Sequence, residues 1–158
     1  MQLCDVYARL GEPAFNELMR GISMGKLRTY QLFEGLKAAA HVHKLNTEVL
    51  RKGAPRFWAR ITGGDEDFAK DLGQAILVSH LDMITAVLDF LGIPHENGFF
   101  SKETDPKTYL TEGWHSRVFD KFCGAFSDPV LLFYLNHLGW ETGLFTEPFV
   151  PAARDAAS

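Results

Sequence analysis

The sequence predicts an all-α protein that folds as a single-domain bundle of five to seven helices. Apolar residues recur at helical spacing in several segments, and no segment of useful length alternates apolar and polar residues as a strand does. The 158 residues are 46% hydrophobic and 23% charged, which is enough apolar material for one core and argues against disorder. We therefore expect residues 1–142 to form the bundle and residues 143–158 to form an extended or flexible tail.

Proline positions and apolar spacing predict the helices of the first third. Pro13 is tolerated in a first helical turn, and the following apolar residues have the spacing i, i+3, i+4, i+7: Phe15, Leu18, Met19 and Ile22. A longer helix is expected over residues 26–44. It either continues towards Lys52 or is followed by a second helix with Asn46 as its N-cap. Pro55 is expected to end whichever helix precedes it, and PRFWARI then forms a short amphipathic helix.

The most apolar segment is expected to form the central helix of the bundle, over about residues 66–91. Gly92 is a candidate for the residue just beyond its C-terminus, and Pro94 prevents its continuation. On a helical wheel the large apolar side chains cover more than half of the circumference, with His80 in the middle of them, so His80 should be buried. The opposite side carries an acidic stripe that we expect to face solvent: Asp71, Asp82 and Asp89.

Two more helices and an irregular tail are predicted for the last third. The helices are expected over about residues 106–122 and 129–140, and Ser127 is a candidate N-cap for the second of them. The tail contains Pro148 and Pro151 and shows no helical period, so we expect it to be extended and to dock on its own bundle or on a second subunit.

The composition predicts a cytoplasmic protein with no membrane association. Cys4 and Cys123 are the only cysteines and form no CxxC motif, which suits a reducing compartment. No apolar run approaches the ~20 residues that a membrane-spanning helix needs. The N-terminus also lacks the basic-then-apolar pattern of a signal peptide.

The charge is unevenly distributed, which raises a nucleic-acid hypothesis. The net charge is −4, but residues 26–60 carry +6 and residues 61–112 carry −7. The segment 27–60 allows a helix-turn-helix interpretation, with four basic residues as candidate contacts: Lys44, Arg51, Lys52 and Arg56. Against it, Gly53 and Pro55 are expected to shorten the second helix to about two turns, so a basic solvated surface is the simpler interpretation.

Inward-facing histidines raise a metal or haem hypothesis. Helical wheels place His43, His80 and His115 on the apolar sides of three different helices, and Glu112 stands three residues before His115. A Glu-x-x-His pair can bind one cation, but carboxylate-bridged di-iron bundles need two such pairs and this sequence has one. No cofactor is therefore predicted; metal or haem is the alternative. The expected role of each histidine is a neutral core residue whose nitrogens are hydrogen-bonded.

The remaining patterns favour an interaction or regulatory module over an enzyme. Nucleophile-elbow, phosphate-loop and HExxH motifs are absent, and no catalytic constellation is recognised. The chain contains 13 phenylalanines, which is a large number, and such large rings fill interfaces as well as cores. We therefore expect an intracellular module that self-associates, as a homodimer, or binds a protein partner. Four rings in irregular segments are the candidate partner-binding residues: Phe99, Phe100, Phe145 and Phe149.

Overall fold

The structure is a computed structural model that describes residues 1–23, 47–101 and 103–151. This part of the chain is all-α, as predicted, and contains seven α-helices, one 3₁₀ turn at Pro106–Tyr109 and no strand. The helices are α1 (Leu3–Leu10), α2 (Glu12–Arg20), α3 (Thr47–Thr62), α4 (Glu66–Val78), α5 (Leu81–Leu91), α6 (Trp114–Phe122) and α7 (Asp128–Glu141). The helix predicted over residues 26–44 and the alternative N-cap at Asn46 lie outside the described residues.

Helix α7 has almost no solvent face, because other elements cover it on several sides. Every residue from Val130 to Trp140 is buried or partly buried. Helices α1, α2 and α6 pack directly on it, and α1 also contacts α3 and α4. Tyr7 of α1 contacts both α7 and α4. The centre of its ring is 5.0 Å from that of Phe133 in α7, and its hydroxyl donates a hydrogen bond to the carbonyl of Ala69 in α4.

The apolar stretch over residues 66–91 is helical, but it forms two helices instead of the single helix that was predicted. Helices α4 and α5 are bent by 84° at Ser79 and His80. The Ser79 hydroxyl donates to the carbonyl of Ala75 and accepts the backbone N–H of Ser23, each at 2.8 Å. A serine that bonds the carbonyl four residues earlier competes with the helical ladder, and here a distant backbone group holds it in that position.

His80 therefore lies in the break and not on a continuous helical face. Its backbone has left the helical region (φ −129°, ψ 40°), and its ring is partly buried against the end of α2. A Cβ atom added at Gly21 would lie only 2.9 Å from His80 Nε2, so the absence of a side chain at Gly21 makes this close approach feasible.

Helix α3 continues through Pro55, and the prediction that this proline ends the preceding helix was wrong. Proline in a helix interior costs about 3 kcal/mol because it removes one hydrogen bond and crowds the preceding turn. Tertiary packing offsets that cost. Phe57 and Ile61 are buried, the Phe57 ring lies 5.4 Å from Phe68 of α4, and Trp58 lies 5.2 Å from Phe15 of α2.

The single helix predicted over residues 106–122 is also divided. A 3₁₀ turn forms at Pro106–Tyr109, and α6 begins only at Trp114. The Arg117 guanidinium donates to the carbonyl of Glu112 and to the hydroxyl of Thr111, which holds the intervening chain in a turn. By contrast, α7 matches the helix predicted over 129–140 to within one residue at each end, and Gly92 takes the left-handed conformation expected just after α5.

A carboxylate of α4 caps α1 across the bundle. Glu66 accepts the backbone N–H groups of Leu3 at 2.7 Å and of Cys4 at 3.1 Å, at the positive end of the α1 dipole. Asp65 caps α4 itself through the N–H of Phe68, and the Arg60 guanidinium beside it lowers the pKa of the Asp65 carboxyl. These carboxylates fix where two helices begin and how they meet.

We predict that Glu66→Gln lowers the free energy of unfolding by about 1–3 kcal/mol, because two hydrogen bonds to a charged acceptor become bonds to a neutral one or are lost. Urea unfolding followed by far-UV circular dichroism measures this change. Glu12→Gln is the matched control, since Glu12 is exposed in the first turn of α2, and it should change the free energy by no more than about 0.5 kcal/mol. Equal losses in the two variants would contradict the cross-bundle cap.

Candidate functional site

An open groove lies at the bend between α4 and α5, with α7 as its other wall. We call it the Phe99 groove; its volume is about 560 Å³. Its lining is largely apolar and comes from α4, α5, α7 and the loop after α5: Gln74, Leu77, Val78, Leu81, Ile84, Gly98, Phe99, Phe100, Tyr134, His137, Leu138 and Glu141. A concave apolar surface with a few polar groups at one end is typical of a binding site.

The loop after α5 is fixed to the bundle by a short network of hydrogen bonds. Glu96 and Phe99 exchange backbone hydrogen bonds at 2.8 and 3.0 Å, which closes a tight turn. His95 Nδ1 accepts the N–H of Gly98, and His95 Nε2 lies 2.7 Å from a carboxylate oxygen of Asp89 on α5. The turn therefore holds the Phe99 side chain at the groove in a defined position.

The two rings of this loop, predicted as partner-binding residues, have different environments. Phe99 is 48% exposed, whereas Phe100 is partly buried and packs against the core. Both line the groove. The sequence marked the pair but did not distinguish the exposed ring from the packed one.

The polar end of the groove comes from one face of α7. Tyr134, His137 and Glu141 follow at i, i+3 and i+7, and Gln74 of α4 lies beside them. Burial lowers the pKa of His137 to about 4, so its ring is neutral near pH 7. Burial raises the pKa of the Glu141 carboxyl, and burial together with the Glu141 charge raises that of the Tyr134 phenol. Sequence reasoning did not select any of these three residues.

Most of the groove lining is apolar, and its polar side chains are those of Gln74, Tyr134, His137 and Glu141. None of its lining residues is a serine or a cysteine. His137 Nδ1 and the nearest Glu141 oxygen are 3.7 Å apart, which is longer than a hydrogen bond. The apolar walls and the neutral His137 suit an apolar occupant.

The candidate metal ligands lie in different environments where the structure describes them. The His80 ring faces Gly21, whereas the His115 ring packs against Phe145 and Phe149 of the tail, with ring centres at 5.1 and 4.4 Å. Glu112 is exposed, and His43 lies outside the described residues. Within the described ranges, no three His, Cys, Asp or Glu residues are placed to share a metal ion. The metal or haem hypothesis stays a prediction.

Two histidines were expected to have hydrogen-bonded nitrogens, but among the described residues each has one buried nitrogen without a hydrogen bond. His80 Nε2 and His115 Nδ1 are buried and have no hydrogen-bond partner in the described part of the chain. Burial lowers the pKa of both rings, and the Arg117 charge adds to the effect at His115. These shifts favour the neutral form of both rings, in which one ring nitrogen carries no proton.

The candidate nucleic-acid contacts are only partly described. Lys52 and Arg56 are exposed on α3, whereas Lys44 and the side chain of Arg51 lie outside the description. Because α3 spans 16 residues, the expected shortening of the second helix to two turns does not occur. Arg60 is paired with Asp65 at 2.7 Å and lies over the Phe68 ring. Nucleic-acid binding stays a prediction.

The tail docks on its own bundle through residues that include the other two predicted partner-binding rings. The Phe145 ring stacks on Trp114 of α6, and the backbone of Phe149 forms two hydrogen bonds with the side chain of Asn136 on α7. Asn136 is fully buried. Sequence reasoning missed this residue, although a lone asparagine inside an apolar helix is a signal that a polar partner must be supplied.

Comparisons with protein-family models, with curated proteins and with solved structures found no match to this chain. Among the described helices, none alone has the length and apolar character to cross a bilayer; α4 and α5 reach both only when taken together, across their 84° bend. A function for this chain must therefore be inferred from the residues and contacts of its described part.

We predict that His137 makes the stability depend on pH. The unfolded ring binds a proton near pH 6.5 and the folded ring only near pH 4, so the free energy of unfolding falls as the pH drops through this interval, by on the order of 3 kcal/mol in total. His80 and His115 act in the same direction, whereas the raised pKa of Glu141 opposes the fall.

Urea unfolding between pH 7 and pH 4.5 should therefore show a smaller pH dependence in His137→Gln than in the wild type. Glu141→Gln serves as the control that isolates the opposing carboxyl. An NMR titration of the His137 ring gives the pKa directly, and a midpoint near its ordinary value of 6.5 would contradict the argument.

Proposed function

We propose that this protein is an interaction module that self-associates as a homodimer through the Phe99 groove. The observation that supports it is an exposed aromatic side chain beside an apolar groove in the same surface patch. Phe99 stays 48% exposed in the folded chain, and the hydrogen-bonded turn that carries it holds it in place. Exposed apolar patches of this kind are typical of interaction sites.

A second copy of the chain is the occupant that suits this patch best. A two-fold dimer uses the same surface on both subunits, so that surface must be complementary to itself. Phe99 itself lines the groove, so two copies that pack these surfaces together can cover the exposed part of each Phe99 with the apolar lining of the other copy. Full burial of a phenylalanine contributes about 1.5–3 kcal/mol, so covering the exposed half of Phe99 contributes about half of that in each copy of a symmetric dimer.

The charges around the groove determine how this association should respond to salt. Glu141 lines one end of the groove, and Glu96 lies in the loop beside Phe99. Two copies of an acidic surface repel each other, and added salt screens that repulsion. Apolar contact then favours association, so the dimer should strengthen as the ionic strength rises.

A cytoplasmic location also remains part of the proposal. Cys4 is buried, and burial with the neighbouring Glu66 carboxylate raises the pKa of its thiol to about 12, so it is a poor nucleophile. Neither Cys4 nor Cys123 forms a disulfide. The buried Cys4 thiol and the absence of a disulfide between the two cysteines suit a reducing compartment.

We predict that Phe99→Ser weakens self-association at least tenfold, because about 1.4 kcal/mol already corresponds to that factor. Size-exclusion chromatography with light scattering, over a range of protein and salt concentrations, measures the effect. Phe90→Ser is the matched control: Phe90 is 44% exposed on α5 but packs edge-on against Phe122, outside the groove.

The wild type and Phe90→Ser should be dimers at micromolar concentration, and Phe99→Ser should be a monomer. A wild-type monomer at the highest concentration, or equal losses in the two serine variants, would refute the proposal. Dissociation on adding salt would contradict the apolar character of the contact.

A further inference from the structure

The side chain of Asn136 in α7 forms hydrogen bonds with the main chain of the docked tail. Asn136 Oδ1 accepts the N–H of Phe149 at 2.6 Å, and Asn136 Nδ2 donates to the carbonyl of the same residue at 2.8 Å. Nδ2 also donates to the carbonyl of Leu132, one turn earlier in α7, which holds the amide in position. A buried side chain thus pairs with both backbone groups of one tail residue, as a neighbouring strand does in peptide recognition.

A second contact holds the ring of Phe145, four residues before Phe149 in the tail. The Phe145 ring lies over Gly139 of α7, where an added Cβ atom would overlap it, and stacks on Trp114 with ring centres 5.5 Å apart. The backbone N–H of Phe145 donates to the carbonyl of Gly139 at 3.1 Å. Gly139 and Trp114 therefore form a ring-sized recess, which a residue larger than glycine at position 139 would fill.

These contacts have the composition of a peptide-binding site. The receptor side consists of α6 and α7. The ligand side is an irregular segment that bends at residues 146–147, so that two rings spaced i, i+4 lie 6.5 Å apart, and it has one main-chain pairing. The recess on α7 is separate from the Phe99 groove. Asn136, Gly139 and the Leu132 carbonyl lie on one side of the helix, and Tyr134, His137 and Glu141 lie on the other.

The tail leaves part of this site unsatisfied. His115 packs against both rings, and its Nδ1 is buried without a hydrogen-bond partner in the described chain. Phe145 and Phe149 themselves remain partly exposed. The tail does not pair with this buried His115 nitrogen, so a segment that supplies a hydrogen-bond partner for it gains an interaction that the tail lacks and can displace the tail.

We propose that α6 and α7 form a receptor for a bent, irregular segment of a partner protein that carries two aromatic residues four positions apart, and that the chain's own tail occupies this receptor and competes with the partner. The tail is then an autoinhibitory ligand in cis. The proposal is independent of self-association through the Phe99 groove.

The test uses the full-length chain with its two tail rings removed, F145A/F149A, and a labelled synthetic peptide with the sequence of residues 143–151. Fluorescence anisotropy should show that this variant binds the peptide at least tenfold more tightly than the wild type, whose site is occupied. A peptide with both phenylalanines replaced by alanine should not bind. Adding Asn136→Leu to the variant should abolish binding.

Circular dichroism and the unfolding transition establish that each variant is folded. A folded F145A/F149A chain that does not bind the peptide, or binds it no better than the wild type, would overturn the proposal. Binding that survives Asn136→Leu would overturn it as well, because the main-chain pairing would then not be the recognition element.

A second measurement needs no variant. Hydrogen exchange of the Phe149 amide in the wild type should accelerate when excess unlabelled peptide displaces the tail, while amides inside α7 keep their protection. No change at a saturating peptide concentration would show that the tail is a fixed part of the fold. Repeating both measurements with Phe99→Ser separates the receptor from the groove, since peptide binding should persist in a monomeric chain.

Discussion

The burial of α7 on most of its sides is the constraint on which the rest of the structure depends. An amphipathic helix needs one covering layer, whereas a helix that is apolar almost all round needs several. Helices α1, α2 and α6 supply part of that cover, and the tail supplies another part at Asn136 and Gly139. The irregular C-terminal segment is thus held in place by the same requirement that organises the helices.

The buried asparagine shows how strict this requirement is. An amide enclosed by apolar side chains costs free energy unless both its oxygen and its nitrogen find partners. Within α7 only the Leu132 carbonyl is available to it, and the backbone of Phe149 provides the rest. A polar group that needs a partner from an otherwise loose segment also gives that segment a specific register, because only one tail residue can meet it at a time.

The bend at Ser79 and His80 has the opposite effect, since it opens a surface instead of closing one. A straight helix over residues 66–91 would have no concave side for α7 and the following loop to enclose. The 84° change of direction places Leu77 and Leu81 on two walls of one groove and turns the His80 ring towards Gly21. The neutral state of the buried histidines follows from the same packing, because desolvation penalises a charged ring.

The sequence by itself determined the all-α class, the bounds of α7 and the end of α5 at Gly92, because these depend on local periodicity and on nearby caps. It also singled out Phe99 and Phe149, since rings in irregular segments stand out from any helical pattern. Only the tertiary structure decided that Phe99 is exposed while Phe100 is packed, that α3 passes through Pro55, and that residues 66–91 bend. The bend is held by the Ser23 backbone, 56 residues away along the chain, and the tail by Asn136, 13 residues from Phe149. Spacing along a chain reports which side chains need burial, but the partner that satisfies each one is chosen by contacts that form only when distant segments meet.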